Sequence, residues 1–318
     1  MDPVVRGNKN VLHKGISIVV PVYNSSKILD ILTERLEPVM LQIGQKFELI
    51  LVNDGSRDDS WAVIERLANE KPWIHGIDMM RNYGQHNALL AGIRAANFDV
   101  VITMDDDLQH PPEELSKLIG KFDEGWAVVY APPEKEQHGF LRDLASVVTK
   151  VALQSAMGAK TARKVSAWRI FRTELRDAFA AYHSPFVSID VLLTWGTTKF
   201  SSIPLRHEPR FEGKSNYTLG KLIRHALNMM TGFSVLPLQM ASIIGFIFTF
   251  FGISILFYVL IRYIINGSTV AGFPFLASII AIFSGAQLFS LGLIGEYLAR
   301  MHFRSMDKPT YVVRKDIK

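Results

Sequence analysis

The chain has no cysteine, so neither a disulfide framework nor a thiolate metal site is available to it, which fits a reducing compartment. Charge is missing from two long runs, residues 234–261 and 263–295, where no Asp, Glu, Lys or Arg occurs. A membrane-spanning helix needs about 20 apolar residues, and segments that are apolar all round have no face for water. The runs therefore predict a two-helix transmembrane hairpin, over about residues 235–262 and 273–299, with turn residues Asn266, Gly267 and Ser268 between them. Also absent are Gly-x-Gly-x-x-Gly and Gly-x-x-x-x-Gly-Lys-Ser/Thr, which removes a dinucleotide fingerprint and a P-loop. Any nucleotide must then be held through acids, a metal and loops. Residues 1–14 are polar and have no apolar core of the signal-peptide kind, so the part before the hairpin is expected never to cross the bilayer.

What remains is a soluble-looking first two-thirds in a chain of 318 residues, 48% of them hydrophobic. The formal charge of +5 is concentrated beside the apolar runs. Arg210, Lys214, Lys221 and Arg224 stand upstream, and Arg300, Arg304, Lys308, Arg314, Lys315 and Lys318 downstream, whereas residues 264–273, around the expected turn, carry no charge. The positive-inside rule then puts both termini and the soluble first part on the cytoplasmic side of an inner or plasma membrane, as a multi-pass protein. The expected organisation is a cytoplasmic soluble domain over residues 1–217 and a juxtamembrane amphipathic helix over 218–233. Two transmembrane helices follow over 234–300, and a basic cytoplasmic tail over 301–318. A further amphipathic helix is expected over residues 141–157.

Within the first part, short continuous apolar runs at residues 16–20, 47–52, 74–79, 100–104 and 127–130 read as strands. Helical patterns at 28–40, 61–68, 88–95 and 113–122 separate them. Apolar residues on both faces of a strand indicate a sheet covered on both sides, hence an α/β fold with a mainly parallel, Rossmann-like sheet. In such sheets ligands gather at the carboxyl ends of strands. Three segments rich in functional groups fall there: Pro21-Val22-Tyr23-Asn24, Asn53-Asp54-Gly55-Ser56, and Asp105-Asp106-Asp107-Leu108-Gln109.

In an extended segment, residues two apart share a side, so Asp105 and Asp107 can converge while Asp106 turns away. Converging carboxylates repel unless a cation lies between them, and oxygen ligands suit Mg²⁺ or Mn²⁺. A plain helix start accounts for Glu113 and Glu114 after Pro111-Pro112, but not for three successive acids after a buried strand. For Asp54 the residues leave two readings open, a ligand-binding acid or a capped turn. A basic face for nucleic acid is not expected, because Asp54, Asp58, Asp59 and the three acids at 105–107 make the cleft acidic.

Four ordered motifs carry a resemblance: Ile18-Val19-Val20-Pro21-Val22-Tyr23-Asn24, Val52-Asn53-Asp54-Gly55-Ser56-Arg57-Asp58, Arg81-Asn82-Tyr83-Gly84-Gln85, and Met104-Asp105-Asp106-Asp107-Leu108-Gln109-His110-Pro111-Pro112-Glu113. With Trp168-Arg169-Ile170-Phe171-Arg172, Arg210-Phe211-Glu212-Gly213-Lys214-Ser215-Asn216-Tyr217 and the hairpin, the whole chain resembles family 2 glycosyltransferases. It is especially similar to the polyprenyl-phosphate branch, which contains bactoprenol glucosyltransferases and dolichol-phosphate mannose synthase. The resemblance implies a GT-A fold, with Pro21, Tyr23, Asn24, Asp54, Gly84 and Gln85 around the nucleotide. It implies a divalent metal on Asp105, Asp107 and Gln109, bridging the diphosphate of a nucleotide-sugar donor. Arg169, Arg210, Lys214 and Ser215 would then meet phosphates of donor or lipid, a task for which the Arg fork is suited.

One departure is informative. Many relatives have an acid just before the aromatic-Arg pair, where this chain has Ala167. A sugar hydroxyl acceptor needs a base, whereas a lipid monophosphate is already an anion, so the missing acid favours a phosphate acceptor or else means that the acid has a different duty; Asp190 is a candidate replacement, with a helix-surface role as its equal alternative. The expected reaction is inverting, metal-dependent transfer of a hexose, with UDP-glucose and undecaprenyl phosphate as first choice. The alternatives are a GDP-mannose or modified-arabinose transferase of the same branch, or a non-catalytic membrane scaffold with this fold. A homo-oligomer, possibly a tetramer, is the expected assembly.

Overall fold

A computed structural model describes residues 13–134, 165–208, 236–266 and 272–318. The expected helices at 141–157 and 218–232, and with them Arg210, Lys214 and Ser215, lie outside the described residues. The chain forms β1 (Ile16–Val22), α1 (Leu29–Ile43), β2 (Phe47–Asn53), α2 (Ser60–Glu70), β3 (Ile74–Met79), α3 (Gln85–Ala95) and β4 (Val100–Thr103). A 3₁₀ turn (Pro112–Glu114) leads into α4 (Leu115–Phe122), followed by β5 (Val128–Tyr130), β6 (Arg169–Arg172), α5 (Ile189–Gly196) and β7 (Phe200–Ser202). The helices α6 (Leu236–Asn266) and α7 (Phe273–Ser305) precede a last strand, β8 (Val313–Ile317).

The strands form one sheet in the order β7-β5-β6-β4-β1-β2-β3-β8. Its centre is parallel, β3-β2-β1-β4, while β6 runs antiparallel to both β4 and β5. All seven residues of β1 are buried, and neighbours along it face opposite cores. Ile16, Ile18 and Val20 join Leu32, Leu36 and Met40 of α1, Ile64 of α2 and Leu118 of α4. Val19 joins Leu89, Leu90 and Ile93 of α3 and Leu192 of α5 on the other side. Both faces of the sheet are thus covered, which is why the strands read as unbroken apolar runs rather than alternating ones. The order reverses between β1 and β4, the switch point where α/β sheets open a crevice at their carboxyl ends.

The helices α6 and α7 are long and apolar enough to cross a membrane, over Pro237–Ile265 and Ile282–Phe303. Their surfaces expose large apolar side chains, Phe246 at 75% for instance, on a scale that water does not tolerate and lipid does. They pack through an edge-to-face pair, Phe248 and Phe283 at 5.9 Å, beside Gly252, where an added Cβ would come within 3.0 Å of the Phe283 ring. Of the glycines on these helices, Gly245, Gly285 and Gly292 face open space. Beyond its apolar span α7 continues to Ser305, with an Arg300–Glu296 ion pair, and Arg300 lies over the ring of Phe186 in the sheet domain at 4.7 Å.

The sequence pattern assigned no element to the basic tail, yet Val313–Ile317 pairs antiparallel with β3 and completes the sheet. Its composition, Val-Arg-Lys-Asp-Ile, has little apolar content because it is an edge strand whose side chains remain in water.

Candidate active site

The loops after β1, β2, β3 and β4 meet at one edge of the sheet and are tied to one another side chain by side chain. After β1, Asn24 takes a left-handed backbone (φ 56°), its N–H donates to Ser56 Oγ (3.0 Å), and its side-chain oxygen accepts from the Arg57 N–H (2.8 Å). After β2, both oxygens of Asp54 accept main-chain N–H groups from the next loop, Tyr83 at 2.7 Å and Gly84 at 2.9 Å. The β3–α3 loop passes so close that a Cβ on Gly55 (φ 63°) would stand 2.5 Å from the Arg81 carbonyl carbon. Only glycine satisfies both that contact and that backbone.

Asp54 is 3% exposed, and burial pushes its carboxyl up to about 6, against the opposing pull of the Tyr83 and Gly84 N–H groups and of Arg81. The raised value means that folding favours the protonated form. This group therefore contributes its full stability below the ordinary carboxylate range and loses it as pH rises through about 6. The loop has the opposite requirement, since a protonated carboxyl offers one acceptor fewer to two N–H donors. Between pH 5 and 7 the nucleotide-free protein is expected to lose thermal stability while its affinity for a nucleoside diphosphate rises. Thermal unfolding and calorimetric titration across that interval, compared with Asp54→Asn, check both trends; parallel trends would contradict the assignment.

The acid loop after β4 is held from three sides. The Gln85 side-chain amide, at the start of α3, donates to Asp105 at 2.6 Å. Asp106 turns the other way and staples the β1–α1 loop, accepting from Ser25 Oγ (2.6 Å) and the Tyr23 N–H (3.3 Å). Burial pushes the Asp106 carboxyl up to about 6; its Ser25 and Tyr23 partners oppose the rise and the neighbouring Asp107 adds to it. Asp107 accepts the Gln109 N–H (3.1 Å) across Leu108, which is buried in a left-handed conformation (φ 58°). Beneath the loop His110 Nδ1 accepts the Asp105 N–H (3.2 Å), and its ring packs against Trp168 at 5.1 Å and His207 at 4.9 Å. Burial, then His207 and Arg169, press the His110 value down to about 3, so the ring is neutral and free to accept.

Sequence reasoning missed His207. The Glu208 N–H donates to the Gln109 carbonyl (2.9 Å), which brings this segment against the acid loop. The His207 Nε2 is buried with no hydrogen-bond partner among the described residues. Burial lowers its value, while a main-chain bond at Ala131 and the charge of Asp107 pull the other way. A single His in Leu205-Arg206-His207-Glu208-Pro209-Arg210 has no spacing that marks it in advance. Among the described residues no three His, Asp or Glu side chains form a ready-made metal cluster. The donor chemistry nonetheless fits a divalent cation: two carboxylates at Asp105 and Asp107, the Gln109 amide, and an orphaned imidazole nitrogen close by.

Arg169, which the resemblance assigned to a phosphate, lies in the interior. It is 2% exposed, on β6, ion-paired with the buried Asp190 of α5, and it also donates to the Ala167 carbonyl (3.3 Å). An alternating strand with one face on each core turns this side chain inward, and a buried guanidinium requires a buried carboxylate. The same pairing removes Asp190 as a stand-in for the acid missing at Ala167. Tyr23, Asn24, Asp54, Gly84, Asp105, Asp107 and Gln109 thus stand on the loops at the carboxyl ends of the strands, with Pro21 near the end of β1 and Gln85 at the start of α3, and Arg169 stands behind them in the interior.

The profile of the family described as Glycosyl transferase family 2 matches residues 17–185. An undecaprenyl-phosphate 4-deoxy-4-formamido-L-arabinose transferase from Proteus mirabilis is 33% identical over 94% of this chain and 93% of its own. The protein of the same name from Pseudomonas syringae pv. syringae is 32% identical over 96% of this chain and 91% of its own. Among solved structures, glucosyl-3-phosphoglycerate synthase from Mycobacterium tuberculosis, in complex with Mn²⁺, UDP-glucose and phosphoglyceric acid, superposes with a TM-score of 0.51. It is 19% identical and covers 69% of this chain and 79% of its own, a likeness of fold.

Proposed function

The chain belongs to glycosyl transferase family 2, and from that premise we propose that it moves a 4-formamido-4-deoxy-arabinose-type sugar from a nucleotide to a polyprenyl phosphate at the membrane surface. The observation that carries this reading is the cross-tied acid loop at the switch point of a GT-A sheet, in a chain that continues into two apolar helices. Glucose from UDP-glucose, the first expectation from the motifs, yields to the modified-arabinose alternative, because relatives at 32–33% identity over nearly the full length carry that sugar in their names.

The chemistry follows from the groups at the edge. A phosphate oxygen of the lipid attacks the anomeric carbon as the bond to the nucleoside diphosphate breaks, with inversion; the acceptor is already ionised, so no base is required and Ala167 is no handicap. The loops at 21–24, 53–56 and 81–85 hold the nucleotide and fix the line of attack, so catalysis is mostly positioning. Mg²⁺ or Mn²⁺ on Asp105, Asp107 and Gln109 would supply Lewis-acid neutralisation of the leaving diphosphate. Arg210, Lys214 and Ser215 are assigned to phosphate oxygens, and the basic flanks of the hairpin keep the domain on the cytoplasmic face. The lipid phosphate then meets the site at head-group level.

Membranes holding the protein, incubated with labelled nucleotide sugars and extracted for lipid, test this directly. Label from the formamido-arabinose donor is expected in the lipid fraction at least about tenfold above that from UDP-glucose or GDP-mannose, a preference of about 1.4 kcal/mol. Equal labelling, or preference for glucose, would reverse the choice of sugar.

A further inference from the structure

The strand that follows the membrane helices reaches into the donor half of the site. Strand β8 pairs with β3 from Gly76 to Met79, and just beyond the ladder the Met80 N–H donates to the Val312 carbonyl (2.9 Å). Its outer end is fastened by His75 to Asp316 (2.5 Å) and by Lys315 to Glu65. At its inner end Tyr311 packs against the α3 side of the core, under Arg94 at 5.7 Å. Arg314 makes the contacts that matter for the site. One guanidinium nitrogen donates to the Met80 carbonyl (2.9 Å), one residue before the Arg81-Asn82-Tyr83-Gly84-Gln85 loop. Another lies 3.5 Å from Asp78, which is 2% exposed. The second oxygen of Asp78 accepts from the Asn53 side-chain amide (2.7 Å), and the Asn53 side-chain oxygen Oδ1 accepts the Ser56 N–H (3.2 Å) that closes the Asn53-Asp54-Gly55-Ser56 turn.

We propose that this return strand is a working part of the donor pocket, with Arg314 a positioning residue for a bound nucleoside diphosphate. It acts through Asp78 and Asn53 on the 53–56 turn, and through the Met80 carbonyl on the 81–85 loop. The assignment rests on the donor role given to those loops above. Asp78 is a buried carboxylate whose one neutral partner shapes the turn, so the cation beside it decides whether that carboxylate stays aimed at Asn53. The strand is also joined to the end of α7 by the short segment 306–312, so the same contacts couple donor binding to attachment at the membrane.

The test uses the full-length protein in lipid nanodiscs, with Arg314→Ala, Arg314→Lys, Arg314→Glu and, as a control at the far end of the same strand, Lys318→Ala. Arg314→Ala is expected to raise the donor KM about threefold to fivefold, as befits a half-exposed ion pair, with kcat and the acceptor KM unchanged. Arg314→Glu, which sets like charge against Asp78, raises it further, Arg314→Lys recovers part of the loss, and Lys318→Ala has no effect. Amide exchange at residues 53–57 and 81–85 rises in the same order, and added UDP protects those amides less than in the unaltered protein. Unchanged exchange and UDP protection in Arg314→Glu would overturn the proposal. So would a uniform loss of stability that lowers kcat and raises both KM values together, because that is the mark of a merely structural strand. If the unaltered protein transfers none of the sugars offered, the reaction assigned above fails by itself, and exchange with UDP still decides the role of Arg314.

Discussion

Asp107→Asn is expected to lower sugar transfer roughly 10²- to 10³-fold, the scale on which loss of one aimed electrostatic contact is felt in an active site. The substitution is nearly isosteric, and an asparagine oxygen can still accept the Gln109 N–H across Leu108, so the turn keeps its shape. What disappears is one negative charge from the oxygen set offered to a cation. Asp106→Asn makes the informative contrast, because Asp106 addresses Ser25 and Tyr23 rather than that set and should register mainly in stability and donor affinity. Label recovered in extracted lipid, read beside thermal unfolding and the dependence on added Mg²⁺ or Mn²⁺, separates the two. Wild-type transfer by Asp107→Asn would remove the metal from that position.

The second large effect concerns stability. Arg169→Ala leaves Asp190 buried without its cation, a defect that costs about 3–5 kcal/mol. For a domain of this size the corresponding fall in Tm is roughly 10 °C or more. Replacing both partners with apolar residues, Arg169→Met with Asp190→Leu, should recover most of the loss, since a buried ion pair contributes little net over a well-packed apolar substitute. A phosphate-holding arginine behaves in the opposite way: its loss lowers turnover and leaves Tm alone, and the double replacement rescues nothing. Thermal unfolding of the unaltered protein and these two variants in one detergent distinguishes the two roles, with an unchanged Tm in Arg169→Ala counting against the interior pair.

Most of the parallel sheet was legible in the sequence, because β1, β2 and β4 are covered on both faces and therefore read as largely apolar runs. The two strands that run antiparallel to this core, β6 and β8, were not. Strand β6 carries two arginines in four residues, Arg169 and Arg172, and β8 is Val-Arg-Lys-Asp-Ile; neither has the pattern of a buried strand. Their place in the sheet comes from a neighbour's open edge. The acid loop was recognisable as a group of ligands, but the division of labour among its acids, with Asp106 stapling Tyr23 and Ser25, depends on a loop some eighty residues earlier in the chain.

Local chemistry thus settled what kind of molecule this is: an α/β sheet domain with clustered acids at its loop edge, followed by a hairpin too apolar for water. Such features are written in composition and short-range periodicity, and they survive any choice of partners. The fate of individual charges was open until the chain was folded, because a guanidinium in isolation is equally suited to phosphate and to carboxylate. Arg169 faces inward because β6 joins β4 with that register and α5 brings Asp190 to it; Arg314 serves the donor loops because the strand beyond the membrane helices returns to β3. Burial and pairing are properties of residues far apart in sequence, and no local pattern encodes them.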